Sequence, residues 1–312
     1  MTASTAAAST APGANPANPP PQSAPAEASQ AEASPQEKLN LYIECYNHAD
    51  SSFRRSLARY QSWVKNMDTG PTGHELVVYG LYSVSGAQAC QKAIEQANAA
   101  SPKMPQLEQA ASSYAASLGP LEGTINETNI YYDRENYKDD GFAKGKALHK
   151  TLAEQAKVFV AASQRFSATL DDANDALQQA HLQQMEKEGG RNLAYYHLST
   201  MIQAKELVRL LMQNNADPAK IGARIDTFEK TIDDMEKAPG DKPMMWIGYQ
   251  NDVDNFRKAA KELYRRQRDK TPYNIGEQSL LGGSGGWMVE GSPDKLLNTY
   301  NTMVETSNHL GN

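Results

Sequence analysis

The chain has 312 residues, 39% hydrophobic and 22% charged, with a net charge of −6, a length that suits one large or two ordinary domains. A sequence pI near 5.6 and a mean hydropathy of −0.66 argue against a dedicated nucleic-acid binder, which carries a basic excess. No run of about 18 apolar residues occurs, so no membrane-spanning helix is expected. The start lacks the charged and apolar regions of a signal peptide, although Met1 also suits the start of a mature or truncated form. Cys45 and Cys90 are the two cysteines, too few and too widely spaced for a zinc cluster. In an oxidising compartment they can close a loop of about 45 residues, worth about 4 kcal/mol on the chain-entropy model; in a reducing one they are ordinary buried thiols.

Residues 1–35 consist largely of Ala, Pro, Ser, Thr, Asn and Gln, without Leu, Ile, Val or Phe. Such a stretch has nothing to bury, so a disordered linker acting as a tether is expected, with a frayed terminus of no role as the plainer reading. Ser34-Pro35 with Glu37 is a helix start, and Leu39, Tyr42, Ile43, Tyr46, Phe53, Leu57, Tyr60 and Val64 carry a helix to about Met67. Asp68-Thr-Gly-Pro-Thr-Gly73 stops it. The apolar run at 76–82 suits a strand, but with no partner strand in the chain it reads as helix or irregular packing. Helices follow over about 87–99 and 105–137, the second interrupted at Gly119-Pro120.

The longest helix is expected from near Phe142 to Lys187. Its apolar positions Leu148, Leu152, Ala156, Phe159, Phe166, Leu170, Ala173 and Leu177 fall three and four apart, with Ser163 in the one gap. Gly189-Gly190 ends it, and so short a link to a helix over 191–214 implies an antiparallel hairpin. Asp217-Pro218 starts the next helix, Pro239-Gly240 stops it, and further helices run from about 243 to 268 and from 293 to 308. The expected fold is all-α: an elongated bundle of long antiparallel amphipathic helices spanning 36–312, behind the linker.

The densest polar constellation precedes the longest helix: Tyr131, Tyr132, Tyr137, Lys138, Asp139, Asp140, Lys144, Lys146 and His149. Tyrosines mixed with both charge signs suit a groove for a polar ligand or protein surface. Asp139, Asp140 and His149 could instead hold a metal or do acid-base chemistry, but no His or Glu pair at ligand spacing stands beside them and the lysines disfavour a cation. The plainest reading is a salt network at a helix start. Gly282-Gly-Ser-Gly-Gly286 lacks the lysine and preceding strand of a phosphate loop, and is expected to be a mobile loop. The basic run Arg257, Lys258, Lys261, Arg265, Arg266, Arg268 and Lys270 reads as a solvated face paired with Asp226, Glu229, Asp233, Asp234 and Glu236, ahead of a surface for anionic lipid. No catalytic serine elbow or cysteine context occurs.

Two stretches carry a resemblance. Leu39-Asn-Leu-Tyr-Ile-Glu-Cys-Tyr-Asn47 with Phe53-Arg-Arg-Ser and Tyr60-Gln-Ser-Trp-Val64, and then Tyr131-Tyr132 with Tyr137-Lys-Asp-Asp140 and Lys144-Gly-Lys-x-Leu-His149, resemble the YiiG-like bacterial envelope lipoproteins, grouped under a domain of unknown function. The similarity covers roughly residues 37 to 300. It implies a secreted all-helical domain, anchored in a longer precursor by a lipidated cysteine ahead of the linker, and no catalytic residues come with it. In that location a Cys45–Cys90 disulfide is expected. The resulting expectation is a non-enzymatic periplasmic or surface-exposed binding or scaffold protein without a cofactor or metal. Its partner would be an envelope component or small polar ligand, with no nucleic acid and no membrane contact beyond the anchor. The alternative is a metal-dependent enzyme or metal-binding protein using Asp139, Asp140 and His149.

Overall fold

The computed structural model describes residues 34–213 and 216–310. The linker expected over 1–35 lies outside the described residues except at its end. There the first helix, α1 (Pro35–Trp63), begins on a reciprocal cap: Ser34 Oγ accepts from the Glu37 amide while the Glu37 carboxylate accepts from the Ser34 amide. All regular structure among the described residues is helical, as the three-four spacing of apolar positions requires.

A first group of helices comprises α1, α2 (Ala87–Ala99), α3 (Pro105–Asp133) and the proximal part of α5 (Ala143–Gly189), with the one-turn helix α4 (Tyr137–Asp140) before α5. Their apolar stripes converge on a core that includes Tyr42, Phe53, Tyr114, Phe159 and Phe166. Each such ring contributes roughly 1.5–3 kcal/mol by leaving water. The Cys45–Cys90 disulfide joins α1 to α2 inside this core, with Cα atoms 4.7 Å apart. A second group comprises α6 (Leu193–Leu211), α7 (Pro218–Lys237), α8 (Trp246–Asp269) and α10 (Pro293–Leu310), packed around Phe228, Tyr249, Phe256 and Leu296. The short α9 (Ile275–Leu281) and a 3-10 turn at Gly286–Met288 lie between α8 and α10.

At 47 residues α5 is about 70 Å long. Its buried positions end at Leu170; beyond that it pairs with α6, Lys205 reaching Asp171 and Asp175 while Arg209 reaches the same two carboxylates. Residues equally far on either side of Gly190 therefore meet, which is the antiparallel hairpin expected from the glycine link.

Four local expectations are corrected. α3 runs unbroken through Gly119-Pro120, because its buried face, with Leu107, Tyr114, Leu118, Leu121 and Ile125 inward, outweighs the lost hydrogen bond at the proline. It ends at Asp133, before a turn leading to α4. α1 stops at Trp63 rather than near Met67, so a single irregular segment runs from 64 to 86. The glycine-rich stretch is packed at its end only: Gly282, Gly283 and Ser284 are exposed, whereas Gly286 is buried, Ser292 Oγ donates to its carbonyl at 2.8 Å, and a Cβ there would collide with Asp294. On the basic helix, Arg257 and Lys261 pair with Glu229 of α7, whereas Arg265, Arg266 and Arg268 pair with Glu262, Glu277 and Asp269.

Candidate functional site

The nine residues expected to form a polar groove divide into two sets. Tyr131, Tyr132 and His149 are buried in the first core; Lys138, Asp139, Asp140, Lys144 and Lys146 are exposed, and Tyr137 is half-buried against it. Asp140 is a structural hinge: its carboxylate accepts from Tyr131 Oη at 2.7 Å and from the Lys144 amide at 3.0 Å, tying the end of α3 to the start of α5. The Tyr131 hydrogen bond, assisted by amides of α5, holds the Asp140 carboxyl below its usual range, and burial together with Asp140 pushes the Tyr131 hydroxyl up to about 12. Lys138 pairs with Glu135 and Lys144 with Glu127.

His149 faces away from these carboxylates. Its Nε2 lies 3.1 Å from the Met67 carbonyl and its Nδ1 lies 3.1 Å from Tyr60 Oη. A carbonyl can only accept, so Nε2 carries the proton, and Tyr60 donates to Nδ1. Burial holds the imidazole below its ordinary value, opposed by the Met67 hydrogen bond. Among the described residues no group of three or more His, Cys, Asp or Glu side chains could hold a metal ion. Asp139, Asp140 and His149 thus do not assemble the centre that the alternative reading needs.

Two glycines explain how closely this region is packed. At Gly70, with φ +77°, an added Cβ would lie 2.3 Å from the His149 ring, so the 64–86 segment can close over the imidazole only with glycine in that left-handed conformation. At Gly145 an added Cβ would meet Tyr132 Oη at 2.7 Å, so the glycine between Lys144 and Lys146 admits the tyrosine pair.

The segment that covers His149 also builds an open surface on this group. Residues 71–85 make no main-chain to main-chain hydrogen bond among the described residues. Side chains pin them instead. The Glu75 carboxylate accepts from the amides of Thr72 and Gly73 and from the Thr72 hydroxyl; Trp63 Nε1 donates to the Gly80 carbonyl, Arg59 to that of Tyr79 and Ser56 to that of Tyr82. Asn126 donates to the Val84 carbonyl and accepts from its amide. Leu81 and Val84 turn inward, while Leu76 is 101% exposed and Val77, Tyr79 and Tyr82 are about half exposed. Between this segment and the end of α1 lies an open pocket of about 530 Å³, lined by Trp63, Lys65, Gly70, His74, Leu76 and Tyr79 among others. The Arg59 guanidinium stacks on Tyr82, 4.5 Å from the ring centroid, and lies 5.7 Å from that of Tyr79. None of Arg55, Arg59 and Lys65 has a carboxylate partner among the described residues.

None of the nine expected residues lines this pocket. His197 and Trp246 stay in the second group and line a separate pocket there. The signal for the 64–86 surface was present as the apolar run at 76–82 bounded by glycines, with neither the alternation of a paired strand nor the period of a helix.

The family described as "Protein of unknown function (DUF3829)" matches residues 33–309. The uncharacterized protein YiiG of Escherichia coli (strain K12) is 36% identical over 277 residues, covering 88% of this chain and 78% of the relative. No solved structure matches the chain. With nearly all of its described residues inside that match, the chain belongs to the DUF3829 family, alongside proteins similar to YiiG.

Proposed function

We propose that this chain is a non-enzymatic binding protein of the bacterial cell envelope, periplasmic or surface-exposed, tethered by residues 1–35 and anchored through a lipidated cysteine of a longer precursor. Its partner is another envelope protein, held along the 74–84 segment. The observation that carries the reading is that Leu76, Val77, Tyr79 and Tyr82 turn outward on a segment that makes no main-chain to main-chain hydrogen bond among the described residues and whose position is set by side chains. An apolar surface kept in place at the cost of hydration is a recognition surface. Main-chain groups of 76–78, which make no hydrogen bond among the described residues, suit an extended peptide that adds alongside, and Arg55, Arg59 and Lys65 favour acidic residues on that peptide.

The test uses a fluorescein-labelled peptide alternating Val and Asp, against the same peptide with Lys in place of Asp. The acidic peptide should bind the wild type, and Leu76→Asp or Arg55→Ala, both at exposed positions, should each weaken it at least tenfold at unchanged melting temperature. Equal binding of both peptides, or wild-type affinity in both variants, refutes the surface. Capture on anionic vesicles that Leu76→Asp abolishes, without peptide binding, would replace the protein partner by a lipid surface. Fractionation of cells making the full precursor tests the location.

A further inference from the structure

A second pocket, of about 340 Å³, opens at one end of the second helix group, where α6 and α8 begin and α7 and α10 end. Its walls are largely apolar, with Leu193, Pro239, Pro243, Trp246 and Leu310. The Trp246 ring is buried, and its neighbours Met244 and Ile247 stand 97% and 72% exposed, extending the apolar surface beyond the pocket. Of the polar groups lining it, the Asn192 side-chain oxygen, His197 and Ser307 are committed, whereas the buried Trp246 Nε1 has no hydrogen-bond partner among the described residues. His197 Nε2 and Ser307 Oγ hydrogen-bond to each other at 2.9 Å, and burial keeps His197 below its ordinary value, hence neutral at neutral pH.

The charge of the site follows from what remains. Asp241 is the one lining carboxylate, it is exposed, and it has no ion-pair partner among the described residues. The starts of α6 and α8 would ordinarily favour an anion, but leading amides there are spent: Leu193 on the Pro239 carbonyl, Tyr195 on the Asn192 side chain and Trp246 on the Pro243 carbonyl. No lysine or arginine lines the pocket. An apolar cleft with a single free carboxylate at hand is complementary to one class of small molecule.

We propose that this pocket binds primary alkyl- or arylamines, with the apolar body against Leu193, Trp246 and Leu310 and the ammonium group beside Asp241. The site is independent of the peptide surface on the first helix group. It makes no use of the segment over residues 64–86.

The experiment is calorimetric titration of the full chain at neutral pH with three probes of equal length: n-octylamine, 1-octanol and octanoate. Octylamine should bind at least tenfold more tightly than octanol, and octanoate more weakly than either. Asp241→Asn should bring octylamine down to the level of octanol. Ala194→Trp, at an exposed position on the pocket wall, should abolish binding of both with no loss of helicity. The proposal is overturned if octanoate binds as well as octylamine, if none of the three binds, or if Asp241→Asn leaves octylamine affinity unchanged. Undiminished binding to Ala194→Trp overturns it equally, as that is detergent-like adsorption elsewhere. Should the tryptophan variant misfold, Asp241→Asn decides alone, being a neutral replacement at an exposed position.

Discussion

Lys38 Nζ lies 2.5 Å from Glu108 Oε1, and the lysine is wholly buried. The same ammonium donates to the carbonyls of Ala100 at 3.0 Å and Pro102 at 2.8 Å, so one cation on α1 closes the end of α2 and the turn into α3. Burial raises the Glu108 carboxyl, but the Lys38 hydrogen bond, the Met104 amide and the charges of Lys38 and Lys103 together outweigh it, leaving it below its usual range. Lys38→Met should cost about 3 kcal/mol, because it strands a partly desolvated carboxylate and two carbonyls. Urea denaturation measures the loss, and Lys38→Met/Glu108→Gln should recover part of it.

Ser163, the polar residue in the apolar stripe of α5, donates to Asp50 Oδ1 at 2.5 Å and accepts from Arg54 at 2.7 Å. Arg54 also bonds Asp50 Oδ2 at 2.6 Å. The gap in the stripe is therefore a polar bolt between α5 and α1. Ser163→Ala should destabilise by about 1–3 kcal/mol, since it leaves a buried carboxylate oxygen without its donor, and thermal melting will register the loss.

Gly70→Ala should cost about 1–2 kcal/mol from its left-handed backbone alone, with more from the collision with His149. Displacement of the 64–86 segment should follow. Its signature is faster amide exchange of the Trp63 indole N–H, which donates to the Gly80 carbonyl at 3.0 Å, together with weakened binding of the acidic peptide.

Two imidazoles make stability depend on pH. Burial depresses both His149 and His197 below the ordinary 6.5. Well above pH 6.5 neither the folded nor the unfolded chain carries these protons, and their contribution to stability is complete. As pH falls below 6.5 the unfolded chain takes them up first, so the free energy of unfolding declines until pH reaches the lowered native values. The melting temperature should therefore drop between pH 7.5 and 5.5. In His149→Gln/His197→Gln the dependence across that window should flatten; an unchanged slope would assign it to other groups.

The helices and their joints were legible from local residues. Ser34-Pro35 with Glu37, Asp217-Pro218 and Gly189-Gly190 each set a helix end through atoms two to four residues away, and the three-four spacing from Leu148 to Leu170 names the buried face of α5 without knowledge of its partner. Residues acting over long sequence distances were not legible. Nothing near Lys38 in the sequence marks it for burial before Ala100, Pro102 and Glu108 arrive beside it, and His149 reads as a possible ligand until Tyr60 and Met67 occupy both of its nitrogens. Likewise the outward turn of Leu76 depends on Arg59, Trp63 and Asn126 holding the chain around it. Helix period and capping are short-range properties of the backbone, so the sequence by itself determined an all-α fold. Burial of a charge and presentation of an apolar loop need partners brought together by packing, and only the tertiary structure decided those.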